Sequence, residues 1–248
     1  MDEVKSGGRQ LSCVVTGATG CIGRNLVEVL LKDDWKITVL HRKSSNLTRL
    51  ANCNVSFKEV NLYDYDSVNQ AIEFNTDAIF HCAANVSHWS KDAAIQWKDN
   101  VLATRNLANV ALEKNASRFI FTSTGATCKN QHDDEERVNK VKMGYIRTKR
   151  LSELELSKAV EKGLYAIIMK PTIAIGKYDY NNYSQIFKDV QKGPFSFSLP
   201  GRFAFCHAKD VARAHVQAFY KGRNRESYIL GGSYATWDDV FRKIAVLL

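Results

Sequence analysis

The sequence predicts an α/β fold, a doubly wound parallel sheet with a small interleaved C-terminal lobe, and three observations carry that prediction. Short apolar runs rich in strand formers alternate with segments of helical periodicity through the first two thirds of the chain. The strand runs are apolar almost without interruption, the pattern of a sheet covered on both faces. After Pro171 the text changes: the prolines of the chain, Pro171, Pro194 and Pro200, all fall in the last third, among aromatic, irregular stretches.

The elements follow in order. LSCVVT (Leu11–Thr16) is the first strand. CIGRNLVEVLLKD spaces Ile22, Leu26, Val29 and Leu30 as one helical face. KITVLH (Lys36–His41) and VSFKEV (Val55–Val60) are the next strands, and AIEFNT closes the helix after them. DAIFHCAA (Asp77–Ala84) is the fourth strand, and a long helix covers Lys91 to Lys114. RFIFTST (Arg118–Thr124) is the fifth strand, and the acidic Asp133–Glu136 reads as a solvated loop. A helix from Gly144 to Lys162 leads into the sixth strand, YAIIMKP (Tyr165–Pro171). Right-handed crossovers wind such units on both faces of one sheet, and ligands bind at the carboxyl ends of its strands.

A chain of 248 residues, 45% of them apolar, can bury a sizeable core. The net charge of +9 is scattered, which fits a solvated basic surface or a site for an anionic ligand. No finger, basic zipper or aromatic RNA-binding signature accompanies it, so nucleic acid is not an expected partner. The six cysteines form no C-x-x-C pair, which points to reduced thiols and a cytoplasmic location. The polar MDEVKSGGRQ is no signal peptide, and no apolar run is long enough to span a bilayer.

VTGATGCIGRNL carries Gly17, Gly20 and Gly23 between the first strand and the first helix. The first glycine permits an unusual turn, the second lets backbone approach a pyrophosphate, and the third lets helix and strand pack. The helix start then offers free N–H groups and a positive dipole end. The spacing differs from G-x-G-x-x-G, so position between strand and helix is what gives it weight. At the end of the second strand, where an NAD site carries Asp or Glu, the sequence has LHRKSSN. Arg42 and Lys43 suit a 2′-phosphate, so NADP(H) is preferred, with NAD(H) as the alternative.

GYIRTK places Tyr145 and Lys149 on one helical face. An ammonium near the phenol would lower its pKa towards neutrality and make it a usable acid or base. FTSTGATC ends the fifth strand with Thr122, Ser123 and Thr124, any of which offers a hydroxyl to a substrate oxygen.

With these pieces assembled, the chain resembles the extended short-chain dehydrogenase/reductase family, in the NAD-dependent epimerase/dehydratase superfamily. TGATGCIG, NLYD, FHCAA, DNVLATRNL, FTST, YIRTKRLSE, KPTIAIG, FCHAKDVARAH and YILGG carry the likeness across nearly the whole chain. It looks most like the dihydroflavonol-4-reductase-like branch, close to 3β-hydroxysteroid dehydrogenases. The resemblance implies that Gly17, Thr19, Gly20, Cys21, Ile22 and Gly23 hold the pyrophosphate. Arg42 would meet the 2′-phosphate. Asn61 and Leu62 would flank the adenine, with Asn61 a departure from the usual Asp. Ala83 and Ala84 would pass close to the cofactor, Asn100 would support the active site, and Pro171 and Thr172 would run past the nicotinamide. Thr124, with Ser123 as the alternative, Tyr145 and Lys149 would be catalytic, Lys149 also binding the nicotinamide ribose. His81, Asn85, His207 and Asp210 read as structural. Cys21 would set beside the pyrophosphate a thiol that packs as a small apolar group and is open to oxidation.

The implied activity is NADP(H)-dependent interconversion of a ketone and a secondary alcohol on a small, ring-bearing or apolar molecule. An NAD-dependent nucleotide-sugar epimerase or dehydratase and a non-catalytic NADP(H)-binding protein stay open, as does a homodimer. Residues 1–10 read as a flexible N-terminus, 11–172 as the Rossmann-type domain, and 173–248 as the substrate lobe, with 206–231 returning to the sheet. Asn85–Asp92, Lys129–Asn139 and Tyr178–Phe205 are expected to line the substrate pocket, with Trp89, Tyr178, Tyr180, Tyr183, Phe195, Phe197, Phe203 and Phe205 as its aromatics. Family members usually run longer, and the final amphipathic pattern with Phe241, Ile244, Ala245 and Leu248 on one face breaks off, so the lobe is expected to be incomplete.

Overall fold

The computed structural model describes residues 9–87, 92–128, 135–142, 144–180, 183–193 and 200–247. The chain runs β1 (Ser12–Thr16), α1 (Cys21–Lys32), β2 (Lys36–His41), β3 (Ser56–Glu59), α2 (Tyr65–Ala71), β4 (Ala78–His81), α3 (Ala93–Trp97), α4 (Ala103–Glu113), β5 (Arg118–Thr122), α5 (Glu135–Asn139), α6 (Gly144–Glu161), β6 (Ala166–Pro171), β7 (Ile173–Ile175), α7 (Ser184–Gln191), β8 (Phe203–His207), α8 (Ala208–Lys221), β9 (Ser227–Leu230), β10 (Ser233–Ala235) and α9 (Trp237–Leu247). One sheet has the order β3-β2-β1-β4-β5-β6-β9, parallel throughout, and a second has the order β10-β8-β7. The reversal of strand order beside β1 opens the crevice in which such sheets bind ligands.

Alternation along the strands builds two cores. Cys13, Val15, Phe80, Ile120 and Ile167 face Leu26, Leu30, Trp35 and Phe219, beneath α1 and α8. Val14, Ile79, Phe119, Phe121 and Ala166 face Leu107, Val110, Leu156 and Ala159, beneath α4 and α6. Phe80, Phe119 and Phe121 are fully buried, so neither face of the sheet can tolerate a polar run.

The strands lie where the sequence places them, one to three residues shorter at some ends. The long helix differs. It is α3 and α4 joined by a π-helical turn, Lys98–Leu102. The carbonyl of Asn100 in that turn accepts the hydroxyls of Thr104 at 2.6 Å and Ser152 at 2.8 Å. A π turn of this kind re-aims side chains inside a helix. The acidic loop also needs correction: Glu135 and Glu136 form the first turn of α5, where the helix dipole favours their charge, while Asp133 and Asp134 lie outside the described residues.

Among the described residues two histidines, His81 and His215, are buried, and both are neutral. Val211 O lies 2.7 Å from His215 Nδ1, so that nitrogen carries the proton, and Nε2 accepts from the Thr122 hydroxyl at 2.8 Å. The Thr104 hydroxyl proton goes to Asn100, so His81 Nε2 donates to Thr104 at 3.0 Å and Nδ1 accepts from Thr16 at 2.7 Å. Burial pushes His81 down to about 3 and His215 down to about 4. The unfolded chain therefore takes up protons that the folded chain refuses. The stability these two sites provide is complete above their ordinary value near ~6.5 and is lost as pH falls towards the folded values. Urea midpoints should fall steadily from pH ~6.5 to ~4.5 and His215→Gln should flatten that slope, each proton counting about 1.4 kcal/mol per pH unit. An equal slope in the variant would contradict this account of His215.

Candidate active site

The first turn is built from bare backbone. Gly17 has φ +69°, and a Cβ there would lie 2.6 Å from the Ala83 nitrogen. A Cβ on Gly23 would lie 2.2 Å from the Gly17 carbonyl oxygen, so these two positions exclude any side chain. Gly20 differs. Its N–H donates to Gly17 O at 3.0 Å, its φ is −92°, and a Cβ there would meet only Gly17 O at 3.4 Å. Packing would accept alanine at this exposed position. As the N-cap of α1, Gly20 brings no side chain to the first-turn N–H groups. Cys21 and Ile22 open the helix half-buried. The Cys21 thiol donates to Lys177 O at 3.7 Å, and burial, with Asp179 and Cys206 nearby, pushes it up to about 12. This corrects the expectation of an oxidisable thiol, since a group held protonated is a poor nucleophile.

The turn opens into a cleft of about 1200 Å³, lined also by Arg42 and Lys43 after β2, Asn61–Tyr63 after β3, and Cys82–Ser87 after β4. Arg49 lines it too, a residue the sequence reading missed. Its guanidinium donates to Thr19 O at 3.1 Å and lies 4.0 Å above the Tyr180 ring. A second arginine in the same loop as Arg42 was the available signal. Glu59 lines the same wall from β3, paired opposite His41 of β2. Asn61 Oδ1 accepts the Tyr63 N–H at 3.1 Å, and the Leu62 carbonyl accepts Asn106 at 3.0 Å, so the adenine-side loop is internally braced. Ala83 N–H donates to Thr16 at 3.2 Å, with exposed Ala84 beside it.

Asn100, 1% exposed, ties that cleft to α6. Its Oδ1 accepts the Asn85 N–H at 2.7 Å, and its Nδ2 donates to Asn85 O at 3.0 Å and to Thr148 at 2.9 Å. In the first turn of that helix, the Tyr145 phenol hydrogen-bonds the Thr124 hydroxyl. Thr124 Oγ1 also accepts the Ala126 N–H at 3.3 Å and so caps a tight turn over Gly125–Thr127. Ser123 is buried and gives its hydroxyl to Glu153. Pro171 ends β6, and Thr172 donates its N–H and hydroxyl to Leu230 O at 3.0 and 3.1 Å, packing against Gly125.

Two electrostatic findings correct the sequence reading. Burial, then neighbouring Tyr183, push the Tyr145 phenol up to about 12, against a lowering by Thr124. The Lys149 ammonium is buried on the same helix. That ammonium donates to Thr122 O at 2.6 Å over the Phe121 ring, and burial brings it down to about 8. The phenol is therefore raised, not lowered.

The aromatic residues divide. Tyr183, Phe203, Phe205 and Phe241 surround Trp237, with ring centroids 5.2–6.2 Å from it. Tyr178 instead hydrogen-bonds Glu28 beneath Arg24, and Tyr180 lies under Arg49, so both brace the glycine turn and leave the expected substrate wall. Trp89, Phe195 and Phe197 lie outside the described residues, as do 129–134. His207 caps α8 through the Lys209 N–H at 3.1 Å, and Asp210 pairs with Arg213 at 3.1 Å. Among the described residues no cluster of three His, Cys, Asp or Glu could hold a metal, and no helix is long and apolar enough to cross a membrane.

Known proteins share this chain's sequence pattern and fold. The chain is 29% identical over 234 residues to sterol demethylase protein B of Methylococcus capsulatus, covering 91% of this chain and 71% of that protein. It is 29% identical over 231 residues to a putative dihydroflavonol 4-reductase of Synechocystis sp., covering 88% of this chain and 66% of that protein. The crystal structure of gox2253 superposes with a TM-score of 0.86 at 28% identity, covering 96% of this chain and 75% of that one. The chain thus spans roughly two thirds to three quarters of the length of these relatives, and others are named as dehydrogenases. Residues 13–231 match the family model described as the NAD dependent epimerase/dehydratase family, and the chain belongs to that family, within the extended short-chain dehydrogenase/reductases.

Proposed function

We propose that the chain is an NADP(H)-dependent oxidoreductase that reduces a ketone on a small, ring-bearing or apolar molecule, and that Thr124, Tyr145 and Lys149 carry the reaction. The observation behind this reading is the hydrogen bond between the Thr124 hydroxyl and the Tyr145 phenol; Thr124 follows β5, which pairs with β4, whose exit lines the glycine-turn cleft. The cleft suits a dinucleotide: a turn with glycine at 17, 20 and 23, an uncapped helix start and cations at the end of β2. Gly17, Thr19, Gly20, Cys21, Ile22 and Gly23 would hold the pyrophosphate, and Arg42 with Arg49 the 2′-phosphate. Asn61 and Leu62 would flank the adenine, Ala83 and Ala84 the middle of the molecule, and Pro171 and Thr172 the nicotinamide. Asn100 would act from behind, through Asn85 and Thr148.

When bound, the cofactor supplies or accepts the hydride. The protein's part is proton management and orientation. A phenol held near about 12 stays protonated at neutral pH, which suits a donor to a developing alkoxide and so favours the direction of ketone reduction. Thr124 holds the same oxygen, while Ser123, engaged by Glu153, fits that role less well. Lys149 uses one of its N–H groups on Thr122 and keeps two for ribose hydroxyls. The aromatic ring around Trp237 stands on the Tyr145 side through Tyr183, which supports an apolar substrate. The free state of all six cysteines supports a cytoplasmic setting.

The family's own description favours a second reading, an epimerase or dehydratase that keeps NAD bound through its cycle. Arg42, Lys43 and Arg49 weigh against it. Copurified NAD, with no net NADPH consumption on any carbonyl, would decide for that reading.

Tyr145→Phe should bind NADPH within roughly threefold of wild type while ketone turnover falls by about 10²–10⁴-fold. Full turnover in that variant would remove Tyr145 from the mechanism. Arg42→Ala should weaken NADPH about tenfold or more and leave NADH nearly unchanged, as loss of a charge-assisted bond requires. Arg49→Ala, which also frees Thr19 O of the turn, should weaken both cofactors and NADPH the more. Equal losses for both cofactors would contradict the 2′-phosphate assignment.

A further inference from the structure

Behind the Thr124–Tyr145 pair lies a carboxylate to which the proposed chemistry gives no part. Glu153 sits about one helical turn beyond Lys149 and two beyond Tyr145 on α6, with its side chain 18% exposed. Its Oε1 accepts the Ser123 hydroxyl, and the Thr127 hydroxyl at 2.9 Å. Its Oε2 faces the Lys170 ammonium of β6 at 3.0 Å, a lysine side chain only 6% exposed. Thr127 in turn sends its N–H to Thr124 O at 3.1 Å, with its hydroxyl 2.8 Å from the same oxygen. Ser123 and Thr127 thus flank Thr124, and one carboxylate on the helix of Tyr145 and Lys149 grips both.

Resting on the function proposed above, we infer that Glu153 is a positioning residue: it clamps the turn bearing Thr124 onto the helix bearing Tyr145 and sets a carboxylate one helical turn from Lys149. Hydrogen bonds to an ionised acceptor are about twice as strong as neutral ones, so the carboxylate fixes the turn better than an amide would. Among the described residues, the groups facing the Lys149 ammonium are His81 of β4 and Cys82 just after it, the Thr122 carbonyl and Phe121 ring from β5, and Glu153 from its own helix. Burial disfavours the ammonium, and Glu153 is the foremost group opposing that. Lys170 competes for the same carboxylate, so the two lysines are linked through it.

The linkage gives opposite signs for two substitutions. In isotope-labelled lysine NMR of the cofactor-free protein, the Lys149 midpoint should move down by about one pH unit in Glu153→Gln and up in Lys170→Met. Amide exchange across residues 123–128 should quicken in Glu153→Ala, and if that variant does not fold, Thr127→Val should give the same result from the other end of the clamp. Where a ketone is turned over, Glu153→Gln should lower kcat by about tenfold to a hundredfold. A Lys149 midpoint that stays in place in both Glu153→Gln and Lys170→Met, or exchange across 123–128 that matches wild type, overturns the inference. The first two readouts need no substrate, so a failed carbonyl screen counts against the proposed function alone.

Discussion

Three backbone segments meet at the carboxyl end of β1: the Gly17 turn, the start of α1 at Gly23, and the exit of β4 at Cys82–Ala83. They approach so closely that a single methyl group at Gly17 or Gly23 would sit inside another residue's backbone. That contact fixes how α1 leaves the sheet, and α1 then packs against α8 over one face of the core. The cleft inherits its shape from the same point, because its floor is this turn and its far wall is the loop that follows β4. Moving the turn by a side chain's width would shift the sheet's packing and the cleft together, since close-packed interiors transmit such changes.

Around this point several buried polar groups are paired with one another. His81 is held between Thr16 and Thr104, Asn100 between Asn85 and Thr148, Thr122 between His215 and Lys149, and Glu153 between Ser123, Thr127 and Lys170. Buried polar groups left unpaired are costly, so a connected set of this kind specifies one arrangement of the strand ends. The π turn at Lys98–Leu102 belongs to the set, since it presents the Asn100 carbonyl to two hydroxyls while the Asn100 side chain bridges the cleft and α6.

Much of this was legible in the residues. Strands such as Lys36–His41 follow from apolar runs bounded by turn residues, and the glycine turn from its place between a strand and an amphipathic helix. What escaped was set by tertiary context. Nothing local marks a π turn at Asn100, because the extra residue is stabilised by Ser152 on another helix. The raised phenol of Tyr145 depends on burial and on Tyr183, far along the chain, and the spacing of Tyr145 and Lys149 could not reveal that Thr122 takes the ammonium. Tyr178 and Tyr180 read as substrate-facing aromatics, yet cation–π contacts with Arg24 and Arg49 draw them to the back of the turn.

The central claim is that the glycine turn is bare because a dinucleotide pyrophosphate must touch its backbone. Gly17 and Gly23 cannot test this, since packing alone forbids side chains there. Gly20 can, because its φ of −92° and open surroundings accept alanine without strain. The decisive measurement is thermal unfolding of Gly20→Ala and wild type with and without NADPH. The account predicts equal melting temperatures without NADPH and a stabilisation by NADPH that is large in wild type and nearly absent in the variant. Equal stabilisation of both proteins by NADPH would contradict it.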